Sequence, residues 1–98
     1  MLERDIEKAL VKRIKTLGGL CEKFVSPNKR GVPDRIILLP LGRVLFVEVK
    51  SCGKVPTKLQ MRDHARRREL GFEVVVVDSI DAINMLIGEY LNGDLEGR

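Results

Sequence analysis

The sequence predicts an α/β domain, a mixed sheet with helices on its faces, in the order α-β-β-β-α-β-α. Three observations carry this. Apolar residues recur at helical spacing near both ends, as Ile6, Leu10, Ile14 and Leu17 and again as Ile80, Ile83, Ile87 and Leu91. Two short apolar runs, 36–39 and 43–50, flank Pro40-Leu41-Gly42 and read as a hairpin. Phe72 to Asp78 contains four consecutive valines, the composition of a buried strand.

The elements follow in chain order. Residues 3–17 form the first helix, with Lys and Arg between the apolar positions, and the Gly18-Gly19 pair stops it. Residues 20–25 read as a short strand, and Ser26 to Pro33 as a loop rich in Pro, Asn, Gly and basic residues. The hairpin spans 36–50. Ser51 to Pro56 is a loop holding Gly53, and residues 57–70 are a helix ended by Gly71. That second helix is weakly amphipathic: Leu59 and Leu70 share one side, whereas Met61 and Ala65 lie nearly opposite. Ser79 is placed to cap the last helix.

A chain of 98 residues makes one domain, 1–98, with a thin stability margin. Its 44% hydrophobic and 33% charged residues fit a soluble globular protein rather than a disordered or membrane-spanning one. No apolar run follows the N-terminal Met-Leu-Glu-Arg-Asp, so no secretory signal is expected. Cys21 and Cys52 are too few for a disulfide framework and are not spaced as a zinc site. A reducing, cytoplasmic setting is the expectation, with Cys21 in the core and Cys52 chemically silent.

Charge is segregated. Residues 1–49 carry ten basic and six acidic groups, for +4. Residues 50–68 carry seven basic groups and only Asp63, for +6, and residues 69–98 carry seven acidic groups and only Arg98, for −6. A polyanion bound by one part of the surface and a solvated basic helix face both fit this pattern. On the second helix Lys58, Arg62 and Arg66 share one side, and Gln60, His64 and Arg67 another. Like charges at that spacing disfavour an isolated helix, a cost that bound phosphates relieve. Lys29 and Arg30 in one loop and Lys54 in the other add basic groups near the same end. His64 reads as a surface or phosphate-facing residue, since no second histidine exists to share a metal or acid–base role.

Strand 43–50 carries polar residues that a core strand should not have. Leu45, Val47 and Val49 face one way; Val44, Phe46, Glu48 and Lys50 face the other. A charge on a central strand is costly unless it is paired or binds an ion. In the hairpin register, Asp34 at the start of the first strand falls opposite residues 48–50. Two carboxylates so close repel each other, and a divalent cation with oxygen ligands resolves the conflict. Lysine beside them is a mobile donor suited to water or a phosphate oxygen.

Pro33-Asp34, thirteen residues, then Glu48-Val49-Lys50, resembles the signature of the PD-(D/E)xK nuclease superfamily. With Arg30-Gly31-Val32-Pro33-Asp34-Arg35, Gly42 to Lys50, Leu59-Gln60 and Gly71-Phe72-Glu73-Val74 added, residues 3–80 resemble the VRR-NUC (virus-type replication–repair nuclease) family, in particular its small phage and bacterial members. The resemblance implies a restriction-endonuclease-like core and a Mg²⁺- or Mn²⁺-dependent endonuclease of branched DNA such as Holliday junctions, often a homodimer. It implies no membrane association and no small-molecule cofactor, and a bacterial or phage-infected cell as the setting. By position, Asp34, Glu48 and the Val49 carbonyl would be metal ligands, Lys50 the catalytic lysine, and Gln60 the glutamine of the following helix. The superfamily's first-helix acid matches Glu3, which falls near the centre of the apolar stripe, with Glu7 toward its edge as the alternative. Lys29, Arg30, Lys54, Lys58, Arg62, Arg66 and Arg67 are the expected DNA-binding groups. The competing reading is a non-catalytic nucleic-acid-binding module on the same fold; the intact Asp34, Glu48, Lys50 and Gln60 argue against it. A sequence-specific restriction-type enzyme is disfavoured by the little room left for a recognition element. An aromatic content of 4% disfavours single-strand binding by base stacking.

Overall fold

The computed structural model describes residues 1–93, so residues 94–98, the end of the expected domain and of its acidic segment, lie outside the described residues. The elements are α1 (Glu3–Thr16), β1 (Leu20–Lys23), β2 (Arg35–Leu39), β3 (Arg43–Val49), α2 (Lys58–Glu69), β4 (Glu73–Val77) and α3 (Ile80–Leu91), with a short 3₁₀ turn over Pro40–Gly42. The predicted order holds; β2 begins one residue earlier than expected, at Arg35, and α1, β1, β3, α2 and β4 are one or two residues shorter. The strands lie side by side in chain order, with β1–β2 and β2–β3 antiparallel and β3–β4 parallel. No helix among the described residues is long and apolar enough to cross a membrane.

Helix α1 carries acids in its first turn and bases in its last, complementing its dipole. It ends in a Schellman motif: Gly18 N donates to Lys15 O and Gly19 N to Ile14 O. The two glycines do different work. Gly18 has φ +82°, whereas a Cβ on Gly19 would stand 2.7 Å from Leu38 O. The helix can therefore turn directly into the sheet edge.

The main core lies on one face of the sheet. Ile6, Leu10 and Ile14 of α1, Ile83, Leu86 and Ile87 of α3, and the strand residues Ile37, Leu39, Leu45, Val47, Val49 and Val77 close around one another. Leu86 replaces Leu91 in the α3 stripe, since Leu91 is exposed. The four-valine strand lies at the sheet edge. Val74 and Val77 are buried, Val75 and Val76 half-buried, because α2 and α3 pack along its two faces.

Helix α2 covers the other face, and it does so with polar groups. Its buried residues are Asp63 and His64. Arg67 pairs with Asp63 at 2.8 Å and lies 5.0 Å from the ring centroids of both Phe24 and Phe46. This explains its weak amphipathic pattern: the side it buries is built from charges and amides, not from leucines.

Candidate active site

The hairpin register places the site. Arg35 stands opposite Val47, so the residue before Arg35 reaches the C-terminal end of β3. Val49 N donates to Asp34 Oδ2 at 2.8 Å, which fixes that carboxylate beside Glu48. Gly31 sets the approach. It has φ +81°, and a Cβ there would meet Leu59 O at 2.9 Å, so the loop before Asp34 rests directly on the first turn of α2.

Glu48 is 1% exposed, a carboxylate at the centre of the sheet. Gln60 Nε2 donates to its Oε2 at 3.2 Å, and Lys50 Nζ lies 3.6 Å from the same oxygen. Its Oε1 faces His64 Nε2 at 3.5 Å, and both of those buried atoms lack a hydrogen-bond partner. Burial first, and then the Asp34 carboxylate, push the Glu48 carboxyl up to about 8 against the lowering pull of Lys50. Burial and the nearby Arg68 push the His64 imidazole down, so the ring is held neutral. Lys50 is anchored by its backbone N–H to Val77 O at 2.9 Å, which extends the β3–β4 ladder by one residue past Val49.

Gln60 has two tasks. Its side chain accepts from Thr57 N while Thr57 Oγ1 accepts from Gln60 N, a reciprocal cap that starts α2. The same amide holds Glu48. Gln60→Glu keeps an acceptor for the cap but sets a third carboxylate beside two others. Its melting temperature should rise more on adding Mg²⁺ than that of wild type, whereas Thr57→Ala should cost about 1 kcal/mol with no effect on metal response. Thermal melts with and without Mg²⁺ check both.

Several expected positions are revised. Glu3 is exposed in the first turn of α1 and does not face inward, because the buried stripe begins at Ile6. Glu7 is the half-buried acid of that helix, and it is bound to Arg35 Nε at 2.7 Å. His64 is not on the surface but buried against Glu48; its spacing of one turn from Gln60 was the available signal. Arg67 is turned inward onto Asp63 and two rings rather than outward. Lys54, Lys58, Arg62 and Arg66 are exposed, and Arg62 and Arg66 share the lining of a small cavity with Lys29, Arg30, Leu59 and Asp63. Cys21 packs against the core, where burial raises its thiol to about 11, and Cys52 is an exposed free thiol.

Among the described residues, no cluster of three or more His, Cys, Asp or Glu side chains is arranged to hold a metal ion. The donor set is smaller: two adjoining carboxylates, of which Glu48 has an unpartnered buried oxygen. That set fits a hard divalent cation that keeps several waters, the habit of Mg²⁺.

A four-stranded mixed sheet with this helix order, and an Asp, a Glu and a Lys at one hairpin end, defines a PD-(D/E)xK-type nuclease core. No family model matches the chain. A solved structure described as a VRR_NUC domain superposes with a TM-score of 0.86 at 37% identity, covering 90% of this chain and 96% of that one. "Putative nuclease p44" of Acyrthosiphon pisum secondary endosymbiont phage 1 is 50% identical over 84 residues, 86% of this chain and 90% of that protein. The chain belongs to the VRR-NUC family.

Proposed function

We propose that the protein is a divalent-metal-dependent endonuclease that hydrolyses phosphodiester bonds in DNA, with branched DNA such as Holliday junctions as its substrate. The observation that carries this is the meeting of Asp34, Glu48 and Lys50 at one hairpin end, with Glu48 buried beside a second carboxylate. The nuclease named among its relatives supports the reading. Asp34, Glu48 and the Val49 carbonyl would hold Mg²⁺ or Mn²⁺. When bound, the cation supplies Lewis acidity to the scissile phosphate and to the attacking water. Lys50 then donates from its ammonium to that water or to a phosphate oxygen as negative charge develops. Gln60, donating to Oε2, keeps the Glu48 carboxylate from rotating away and leaves Oε1 facing the His64 ring.

The outward residues Lys29, Arg30, Arg62 and Arg66, with Lys54 and Lys58, follow the DNA phosphates. Binding therefore weakens steeply with salt. Arg62→Ala with Arg66→Ala should reduce the slope of log K against log salt by about 2, as read by fluorescence anisotropy. A slope unchanged in the double variant removes α2 from the interface. Exposed Leu59 and Met61 on α2, 44% and 50% accessible, suit cover by a second copy of the chain. A homodimer would set two such sites on two strands of a symmetric junction, and a monomer mass at micromolar concentration would contradict it.

The deciding experiment is a panel of labelled four-way junction, flap, duplex and single-stranded DNA with Mg²⁺, Mn²⁺ or EDTA. Metal-dependent cleavage, fastest on the junction, is expected. Binding without cleavage under every condition would leave a non-catalytic DNA-binding module.

A further inference from the structure

A second cationic surface lies on the opposite face of the sheet from α2. A groove of about 380 Å³ runs between α1 and the β1–β2 edge, lined by Arg4, Glu7, Lys8, Val11, Lys23 and Arg35. Its charges are not balanced. Glu7 is committed to Arg35, whose Nη1 also donates to Cys21 O at 3.2 Å, so this pair forms a fixed wall. Arg4, Lys8 and Lys23 have no ion-pair or hydrogen-bond partner among the described residues. Arg4 and Lys8 stand one turn apart on α1, where like charges repel. Three cations held around one concavity without an acid to offset them suit a polyanion.

The groove is also close to the chemistry. Lys23 stands opposite Arg35 in the β1–β2 ladder, and Arg35 directly follows Asp34. The next residue of β1's chain, Phe24, donates its N–H to Asp34 O at 2.9 Å. One wall of the groove is thus a single residue from the carboxylate of the proposed active site. The basic groups Lys29 and Arg30 approach Asp34 from the other direction, over α2. Asp34 therefore lies between two cationic surfaces on opposite faces of the sheet.

We infer that the groove between α1 and β1 is a second phosphate-binding site, holding the DNA backbone on the side of the scissile phosphate away from α2. Arg4, Lys8 and Lys23 contact the phosphates, and the Glu7–Arg35 pair shapes the wall. The inference rests on the proposed DNA substrate, and extends the interface to residues outside α2 and its neighbouring loops.

The test uses binding rather than cleavage, so that it stands apart from the proposed catalysis. Asp34→Asn protein is titrated against labelled four-way junction DNA across a salt series, alone and with either of two added double changes. Lys8→Ala with Lys23→Ala removes two charges from the groove; Lys12→Ala with Lys15→Ala removes two exposed charges further along α1. The groove double should weaken binding roughly tenfold and flatten the salt slope by about 2, with a much smaller change in the control double. Circular dichroism melts confirm that both variants fold. Equal effects in the two doubles, or no change in the groove double, overturn the inference, as does failure of the parent to bind DNA. Wild-type protein that cuts DNA while the groove double binds normally sinks the groove alone. A groove response in a protein that cuts nothing sinks catalysis alone.

Discussion

Asp34→Asn should cut DNA roughly a hundredfold or more slowly than wild type, and Lys50→Ala should fall by a similar factor. The asparagine change is the informative one. It keeps an oxygen to accept the 2.8 Å hydrogen bond from Val49 N, so the hairpin end is preserved while the charge is lost. Lys50→Ala removes the ammonium 3.6 Å from Glu48 but leaves the backbone bond to Val77 O intact. Both losses should therefore appear in kcat with the fold unchanged. Quenched time courses on labelled junction DNA read the rates. A Lys50→Ala protein as fast as wild type would remove the lysine from the chemistry.

The second large effect concerns stability, and its sign is opposite to that of most buried substitutions. An unfolded glutamate loses its proton near 4.5, whereas Glu48 in the fold keeps its proton up to about 8. Between those values the unfolded chain binds fewer protons than the native one. Stability therefore falls as pH rises through that window, then levels off. Glu48→Gln removes the ionisation and keeps the shape. At pH 8.5 without metal it should be more stable than wild type, by on the order of a few kcal/mol, or about 5 °C or more in melting temperature. At pH 4.5 the two should converge. His64 acts the other way, since its lowered pKa withdraws stability as pH falls below 6.5, but both proteins carry it. Added Mg²⁺ should close the gap at high pH by stabilising wild type alone. Equal melting curves for the two proteins at every pH would show that Glu48 carries no such strain.

The parts of this molecule that were legible in the sequence are those governed by local periodicity. The α1 stripe of Ile6, Leu10 and Ile14, the Gly18-Gly19 stop, the Ser79 cap and the hairpin all emerge from spacing and turn chemistry alone. The meeting of Asp34 with Glu48 followed too, because a hairpin register is arithmetic once its turn is located. What escaped were decisions made by tertiary contact. Glu3 fits the apolar stripe by angle, yet the packed stripe begins at Ile6, and Glu3 stays in water. His64 and Arg67 belong to a charged helix, and no rule of periodicity says that its buried side would be the polar one. That side meets Glu48, which accepts from Gln60 and faces His64, and the rings of Phe24 and Phe46, over which the Arg67 guanidinium lies. The four valines read as a buried strand, and β4, though an edge, is buried at Val74 and Val77 because α2 and α3 sandwich it.

In the proposed function Asp34 and Glu48 together grip a divalent cation. Calorimetric titration of Mn²⁺ into metal-free protein at pH 8 tests it without any nucleic acid. Wild type should give a saturable heat with proton release, Glu48 giving up its proton as the ion enters, and both Asp34→Asn and Glu48→Gln should lose that binding. Unaltered Mn²⁺ binding in the two folded variants would exclude Asp34 and Glu48 as its ligands.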